Sequence, residues 1–253
     1  MRVIRTKNVV LVVLATLMIA GCKKKEEDEK VVKFEKESIS IYSHMIDKDS
    51  ADIKILNEGN LKYTIDYDSR YLVVKDNQTY ITIMGKCISD DIKDITLTDE
   101  NGKKSVLKVE IKPKYKLYQE PYVELGQSME FIKNIEKRTL KTETDKVLLF
   151  EGENLFIEGV YYSFEDNKLR SILTVHPAGA YKQVSSFIVE RYVPVYINGT
   201  DMLLYSAQAD IAVLVSYNNS ANKIVVTYAK KDKESSIESM QKSLLGDKIL
   251  SLP

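Results

Sequence analysis

The 253-residue sequence predicts an all-β sandwich followed by an α+β domain, on three observations. Residues 38–112 hold short alternating apolar runs with no helical period. Pro113 then stops the last run, because it lacks the N–H a β-ladder needs. Residues 122–230 interleave two stretches of helical spacing with hairpin-like pairs, in the order α-β-β-β-α-β-β-β-β. That order implies one antiparallel sheet with two helices on one face.

In the first domain Ile39 and Ile41 open, and Ile53 and Ile55 share one face. The cluster Asn57-Glu58-Gly59-Asn60 marks a turn. Tyr63, Ile65 and Tyr67 recur at every second residue, followed by Leu72-Val73-Val74, then Ile81 and Ile83. Ile95 and Leu97 lead into Asn101-Gly102, and Leu107, Val109 and Ile111 return. Asn-Gly between two alternating runs is a hairpin signal, because both residues tolerate positive φ. Six or seven strands are expected. Residues 113–121 form a short Lys/Tyr-rich linker.

In the second domain Ser128 is positioned to cap a helix carrying Met129, Ile132 and Ile135 on one face. Strands are expected at Val147 to Phe150, Phe156 to Phe164 and Lys168 to Val175, the last two joined at Glu165-Asp166-Asn167. A second helix is expected over Ala180 to Tyr192, stopped by Pro194. Then come Val195 to Ile197, a turn at Asn198-Gly199, Met202 to Tyr205, Ile211 to Tyr217, a turn at Asn218-Asn219, and Lys223 to Tyr228. Residues 231–253 are a polar tail. Within it Ile237, Met240, Leu244 and Leu245 form one apolar face that can dock on the sheet; disorder is the alternative.

The first 30 residues point to an address. Arg2, Arg5 and Lys7 precede twelve uncharged residues, Val9 to Ala20. Twelve is short of the roughly 20 that span a bilayer but matches a signal-peptide core. The segment ends Ile19-Ala20-Gly21-Cys22. It resembles the lipobox of bacterial lipoproteins, with residues 1–21 as the leader. The resemblance implies diacylglyceryl transfer to Cys22 Sγ and cleavage before Cys22, with Ile19, Ala20 and Gly21 read by the peptidase. One acyl chain holds a protein marginally, whereas two or three anchor it stably. Lys23 to Lys30 is eight successive charges, so residues 22–37 read as a solvated tether. A Lys and acidic cluster after a lipidated Cys resembles the surface-export signal of Bacteroidota lipoproteins. That implies attachment to the outer membrane, facing the cell surface; a periplasmic-facing anchor is the alternative.

The stretch Ile53 to Ile111 is similar to bacterial Ig-like repeats of Bacteroidota lipoproteins. The likeness rests on the strand closed by Gly59-Asn60, the run Tyr80 to Gly85, and the hairpin from Ile95-Thr96-Leu97-Thr98-Asp99 through Gly102 to Val109-Glu110-Ile111. Asp91-Ile92-Lys93-Asp94 departs from the Gly-Thr-Ala-like sequence usual there. Such domains act as spacers or adhesive modules. The second domain looks like those of uncharacterised Bacteroidota lipoproteins, and its layout is similar to that of β-lactamase-inhibitor proteins.

Composition removes several functions. The chain has 37 basic and 37 acidic residues, 44% hydrophobic and 29% charged. Without the leader it carries 34 basic and 37 acidic residues, a net −3. Nucleic-acid binding, which needs positive charge to neutralise phosphates, is not expected. With Cys22 acylated, Cys87 is the one remaining thiol, so no internal disulfide can form. Cys87 is expected as a buried apolar residue rather than a nucleophile. His44 and His176 are far apart, and no HExxH, CxxC, GxSxG, GxxxxGK[ST] or GxGxxG pattern occurs. No metal, cofactor or catalytic residue is therefore expected. Asp90-Asp91 and Glu165-Asp166 read as loop acids, although a glycosidase can draw its two acids from distant positions. His176-Pro177-Ala178-Gly179 reads as a turn with an exposed His, the alternative being a ligand loop.

Sixteen Tyr and no Trp is an unusual balance. Tyr161, Tyr162, Tyr181, Tyr192, Tyr196, Tyr205, Tyr217 and Tyr228 suit wet interfaces or sugar stacking, or half-buried strand positions. Asp49-Ser50-Ala51 matches the short O-glycosylation sequence of exported Bacteroidota proteins, which implies a glycan on Ser50. The expected function is a membrane-anchored, non-catalytic lipoprotein presenting a binding domain to a protein or glycan. The alternatives are an inhibitor or envelope-assembly factor working through the second sheet, and a hydrolase using distant acids.

Overall fold

The alternating run builds eight strands: β1 (Val32–Phe34), β2 (Ser38–Tyr42), β3 (Ala51–Asn57), β4 (Tyr63–Tyr67), β5 (Leu72–Asp76), β6 (Tyr80–Gly85), β7 (Lys93–Asp99) and β8 (Lys104–Lys112). The computed structural model describes residues 31–44 and 48–231, and these belong to one compact unit. Cys22, the leader and most of the tether and tail lie outside the described residues.

The eight strands form two four-stranded sheets, ordered β1-β3-β6-β5 and β2-β8-β7-β4. Pairing is antiparallel except between β2 and β8, which run parallel with Ser38 opposite Lys108. One core is shared by both sheets, with Leu72, Ile81, Ile83, Ile95, Leu97 and Leu107 fully buried. The period of two is clearest in β8, where Leu107, Val109 and Ile111 are buried and every second residue is exposed. Asn60 and Gly102 take positive φ in their turns, as their types allow.

β1 falls inside the stretch assigned to the tether. Val32 and Phe34 are buried, and β1 pairs with β3 along Val32–Asn57 to Phe34–Ile55. The folded body therefore starts six residues before position 38. Three residues are too few for a periodic signal; only the pairing with β3 makes them a strand.

The second lobe contains α1 (Met129–Ile135), β9 (Leu140–Glu143), β10 (Val147–Asn154), β11 (Ile157–Glu165), β12 (Lys168–Pro177), a 3₁₀ turn (Ala178–Ala180), α2 (Tyr181–Val189), β13 (Val193–Asn198), β14 (Asp201–Tyr205), β15 (Ile211–Asn218) and β16 (Lys223–Lys230). All eight strands join one sheet, β13-β14-β15-β16-β12-β11-β10-β9, antiparallel throughout. The chain is thus mostly β, with several sheets and two helices among the described residues. The Ser128 hydroxyl accepts the Phe131 N–H and caps α1. Asp166 and Asn167, at φ 52° and 57°, make the tight turn between β11 and β12.

Two expectations change. β9 adds a strand; its four residues are all exposed, so no apolar alternation announces it. Pro194 does not stop the second helix, which ends at Val189. Pro194 sits within β13, the edge strand of the sheet, where a missing N–H is tolerated.

Both helices pack on one face. Ile132, Val184, Phe187 and Ile188 meet Val160, Ile172, Val213, Val226 and Tyr228 in a second core.

Candidate functional site

Residues 113–121 do not act as a free linker. The Glu190 carboxylate, just after α2, accepts the Lys114 N–H at 2.9 Å and the Tyr115 N–H at 3.1 Å. The Glu190 carbonyl accepts the Ile88 N–H from the first lobe at 2.7 Å. Arg191 donates to the Phe187 carbonyl at 3.0 Å and the Tyr115 carbonyl at 3.1 Å, and its guanidinium lies 3.6 Å from the Phe187 ring centre. Tyr118 is buried against His176 and Phe187, and Val193 and Ala207 pack on the first-lobe core. Each bond satisfies a backbone group that burial would otherwise leave costly.

This docking creates a cleft. A cavity of about 230 Å³ lies between the lobes, with Tyr71, Cys87 and Asp90 on one wall and Glu120, Arg191 and Tyr192 on the other. A second cavity of about 400 Å³ lies on the second lobe and is lined by Glu124, Lys168, Arg170, Asp210 and Lys230 among others. The two share Val123, Ala209 and Ile211, so they adjoin as one groove with an apolar middle and a far part of mixed charge, where Glu124 and Asp210 line it with Lys168, Arg170 and Lys230.

Several reactive side chains in the inner cavity are paired or buried. Tyr192 donates to Glu120 Oε1 at 2.9 Å, and Arg191 Nε lies 3.1 Å from Glu120 Oε2. Burial raises the Glu120 carboxyl above its ordinary range and Arg191 opposes that rise. Arg191 also pairs with Glu190. Cys87 is buried, and burial pushes its thiol up to about 11, so little thiolate exists near neutrality. In the second cavity Arg170 pairs with Glu165 at 3.0 Å. These are groups that hold a cleft open and can contact a ligand's polar edge.

The structure scatters the other candidates. Ser50 is exposed just before β3. Neighbouring Asp49 is held locally, its carboxylate accepting the Tyr42 N–H and its carbonyl facing His44 Nδ1, each at 2.8 Å. Asp90 reaches the groove; Glu165 and Asp166 stay exposed in their hairpin. Cys22, Ile19, Ala20 and Gly21 lie outside the described residues.

His176 is not an exposed turn residue. It lies at the end of β12 and is fully buried. Its Nδ1 is 2.6 Å from the Phe156 carbonyl and its Nε2 is 2.7 Å from Thr174 Oγ1. β12 runs to Pro177, two residues beyond the expected end, and that turns the ring into the core. The tyrosines do not converge on one platform. Tyr162, Tyr192 and Tyr228 are core residues, with Tyr192 and Tyr228 edge to face at 5.8 Å. Tyr161, Tyr181, Tyr196, Tyr205 and Tyr217 are half-buried at separate places.

The sequence reading missed the groove. Leu117 and Tyr118, apolar residues in a supposed linker, were its one available signal. Among the described residues no group of three or more His, Cys, Asp or Glu is arranged to hold a metal ion, and no helix is long and apolar enough to cross a membrane. No protein-family model matches the chain, and no curated protein matches it.

Proposed function

We propose that this protein is a lipid-anchored, non-catalytic binding protein of the outer membrane of a Bacteroidota cell. Cys22 carries the acyl groups, and an Ig-like first lobe is fixed against an α+β second lobe. The groove between them takes an extended polar ligand, a peptide or glycan segment, at the cell surface. The observation that carries this reading is the groove itself: an apolar middle at Val123, Ala209 and Ile211 flanked by charged side chains that pair with one another.

Two measurements test the two parts. Cys22→Ala should leave an unacylated chain in the soluble fraction; an acylated or membrane-bound variant refutes the anchor. The soluble body, presented to a glycan array and to outer-membrane extract, should retain a ligand that Val123→Asp with Ile211→Asp releases at least tenfold. Retention of nothing, or retention insensitive to the groove, refutes the groove reading.

A further inference from the structure

The sheet of the second lobe has a second face, turned away from α1 and α2. On that face Leu203, Ala212, Leu214, Val225 and Thr227 are between 0 and 2% exposed. They stand in register, Leu203 opposite Leu214 and Leu214 opposite Thr227. A bare sheet face does not hide side chains so completely, since water reaches one side of every strand. Among the described residues the only partners clustered with Leu203 and Ala212 are Tyr196 and Tyr205 of the same sheet. Thr227 Oγ1, at the centre, is cut off from solvent and has no hydrogen-bond partner among the described residues.

The strand sequences agree. β15 and β16 read Ile-Ala-Val-Leu-Val and Ile-Val-Val-Thr-Tyr-Ala, almost unbroken apolar runs. Such runs belong to strands covered on both faces, whereas one-sided strands alternate, as β8 does.

We propose that the C-terminal segment 232–253 covers this face as an amphipathic helix, making the second lobe a three-layer body. Three arguments select it. β16 ends at Lys230, and the Lys231 N–H is held by the Asp210 carbonyl, so the chain leaves the sheet at the edge of the patch. Asp232 to Ser235 is a polar link, and Ser235 with Glu238 has the spacing of a capping box. Ile237, Met240, Leu244 and Leu245 then fall on one helical face.

The dimensions match. From β14 to β16 the patch spans two strand spacings, about 10 Å, the width of one helix. From Ala212 to Ser216 it runs four residues, about 14 Å, and nine helical residues from Ile237 to Leu245 cover about 14 Å. One helix running back along the strands fills the patch.

The test uses the otherwise complete chain carrying Thr227→Cys, whose thiol replaces a hydroxyl that makes no hydrogen bond among the described residues. Alkylation at 227, read by peptide mass with Cys87 as the internal folding control, should be at least tenfold faster when Leu244 and Leu245 are both changed to Asp, with Cys87 still protected. Adding Met240→Cys to Thr227→Cys should give an intrachain disulfide under mild oxidation. Alkylation that is already fast, or slow and unchanged by the tail substitutions, overturns the proposal. If both thiols become reactive together the disulfide decides: its formation within one chain supports the proposal, and its absence or a link between two chains overturns it.

Discussion

Glu190 accepts the Lys114 N–H at 2.9 Å, across 76 residues of sequence. That bond holds the start of the second lobe against the end of α2, while the carbonyl of the same residue holds Ile88. Glu190→Ala removes a buried carboxylate that two part-buried N–H groups donate to, and part of the pairing of Arg191. The expected cost is about 3–5 kcal/mol, the range for breaking a buried charged pair. Urea unfolding measures it, and Glu190→Gln, which keeps one acceptor oxygen, should recover part of the loss. Proteolysis within residues 113–121 should become faster in Glu190→Ala before global unfolding.

His176 should make stability fall in mild acid. Burial pushes its pKa from 6.5 down to about 4, so the folded imidazole stays neutral where the unfolded one takes a proton. Between about pH 6.5 and 4 the unfolded state binds more protons, and stability drops as pH falls. The full effect is about 3 kcal/mol, and the slope approaches about 1.4 kcal/mol per pH unit. His176→Gln should be less stable at neutral pH yet show a shallower decline between pH 6.5 and 4. An unchanged slope in chemical denaturation would contradict the assignment.

Arg138 bridges Glu136 at 2.9 Å and Glu153 at 3.1 Å, with only 4% of its side chain exposed. Glu136 also accepts the Tyr162 hydroxyl at 2.6 Å. Arg138→Ala leaves a buried carboxylate without its cation and should cost about 3–5 kcal/mol. Arg138→Met with Glu136→Gln should cost less than Arg138→Ala alone, because no unpaired charge then remains at position 136. Thermal unfolding of the two variants checks the order.

Gly152 lies where the register between β10 and β11 shifts. A Cβ there would sit 1.7 Å from the Ile157 carbonyl oxygen, so Gly152→Ala must displace backbone. A loss of about 2–4 kcal/mol is expected, in the range of overpacking and strain. Gly179, whose added Cβ meets nothing within 4 Å, is the control: Gly179→Ala should change stability little. Denaturant midpoints compare them.

Much of the fold was legible because its signals are local. Alternation in β8, the Ser128 cap and the turns at Asn60, Gly102 and Asp166-Asn167 depend on residues a few positions apart. β1 and β9 were not legible: one is too short to show a period and the other buries nothing. The groove was less legible still, since Tyr71, Cys87, Glu120 and Arg191 come from four separate segments.

By itself, then, the sequence determined most of the strands, the presence of both helices and most of the turns, because backbone preference and apolar spacing act over one or two turns of chain. Only the tertiary structure decided that the lobes lock together at Glu190 and that the His176 ring points inward. Those outcomes depend on which distant groups share one dry space, where each buried N–H, carboxylate and ring must find its partner.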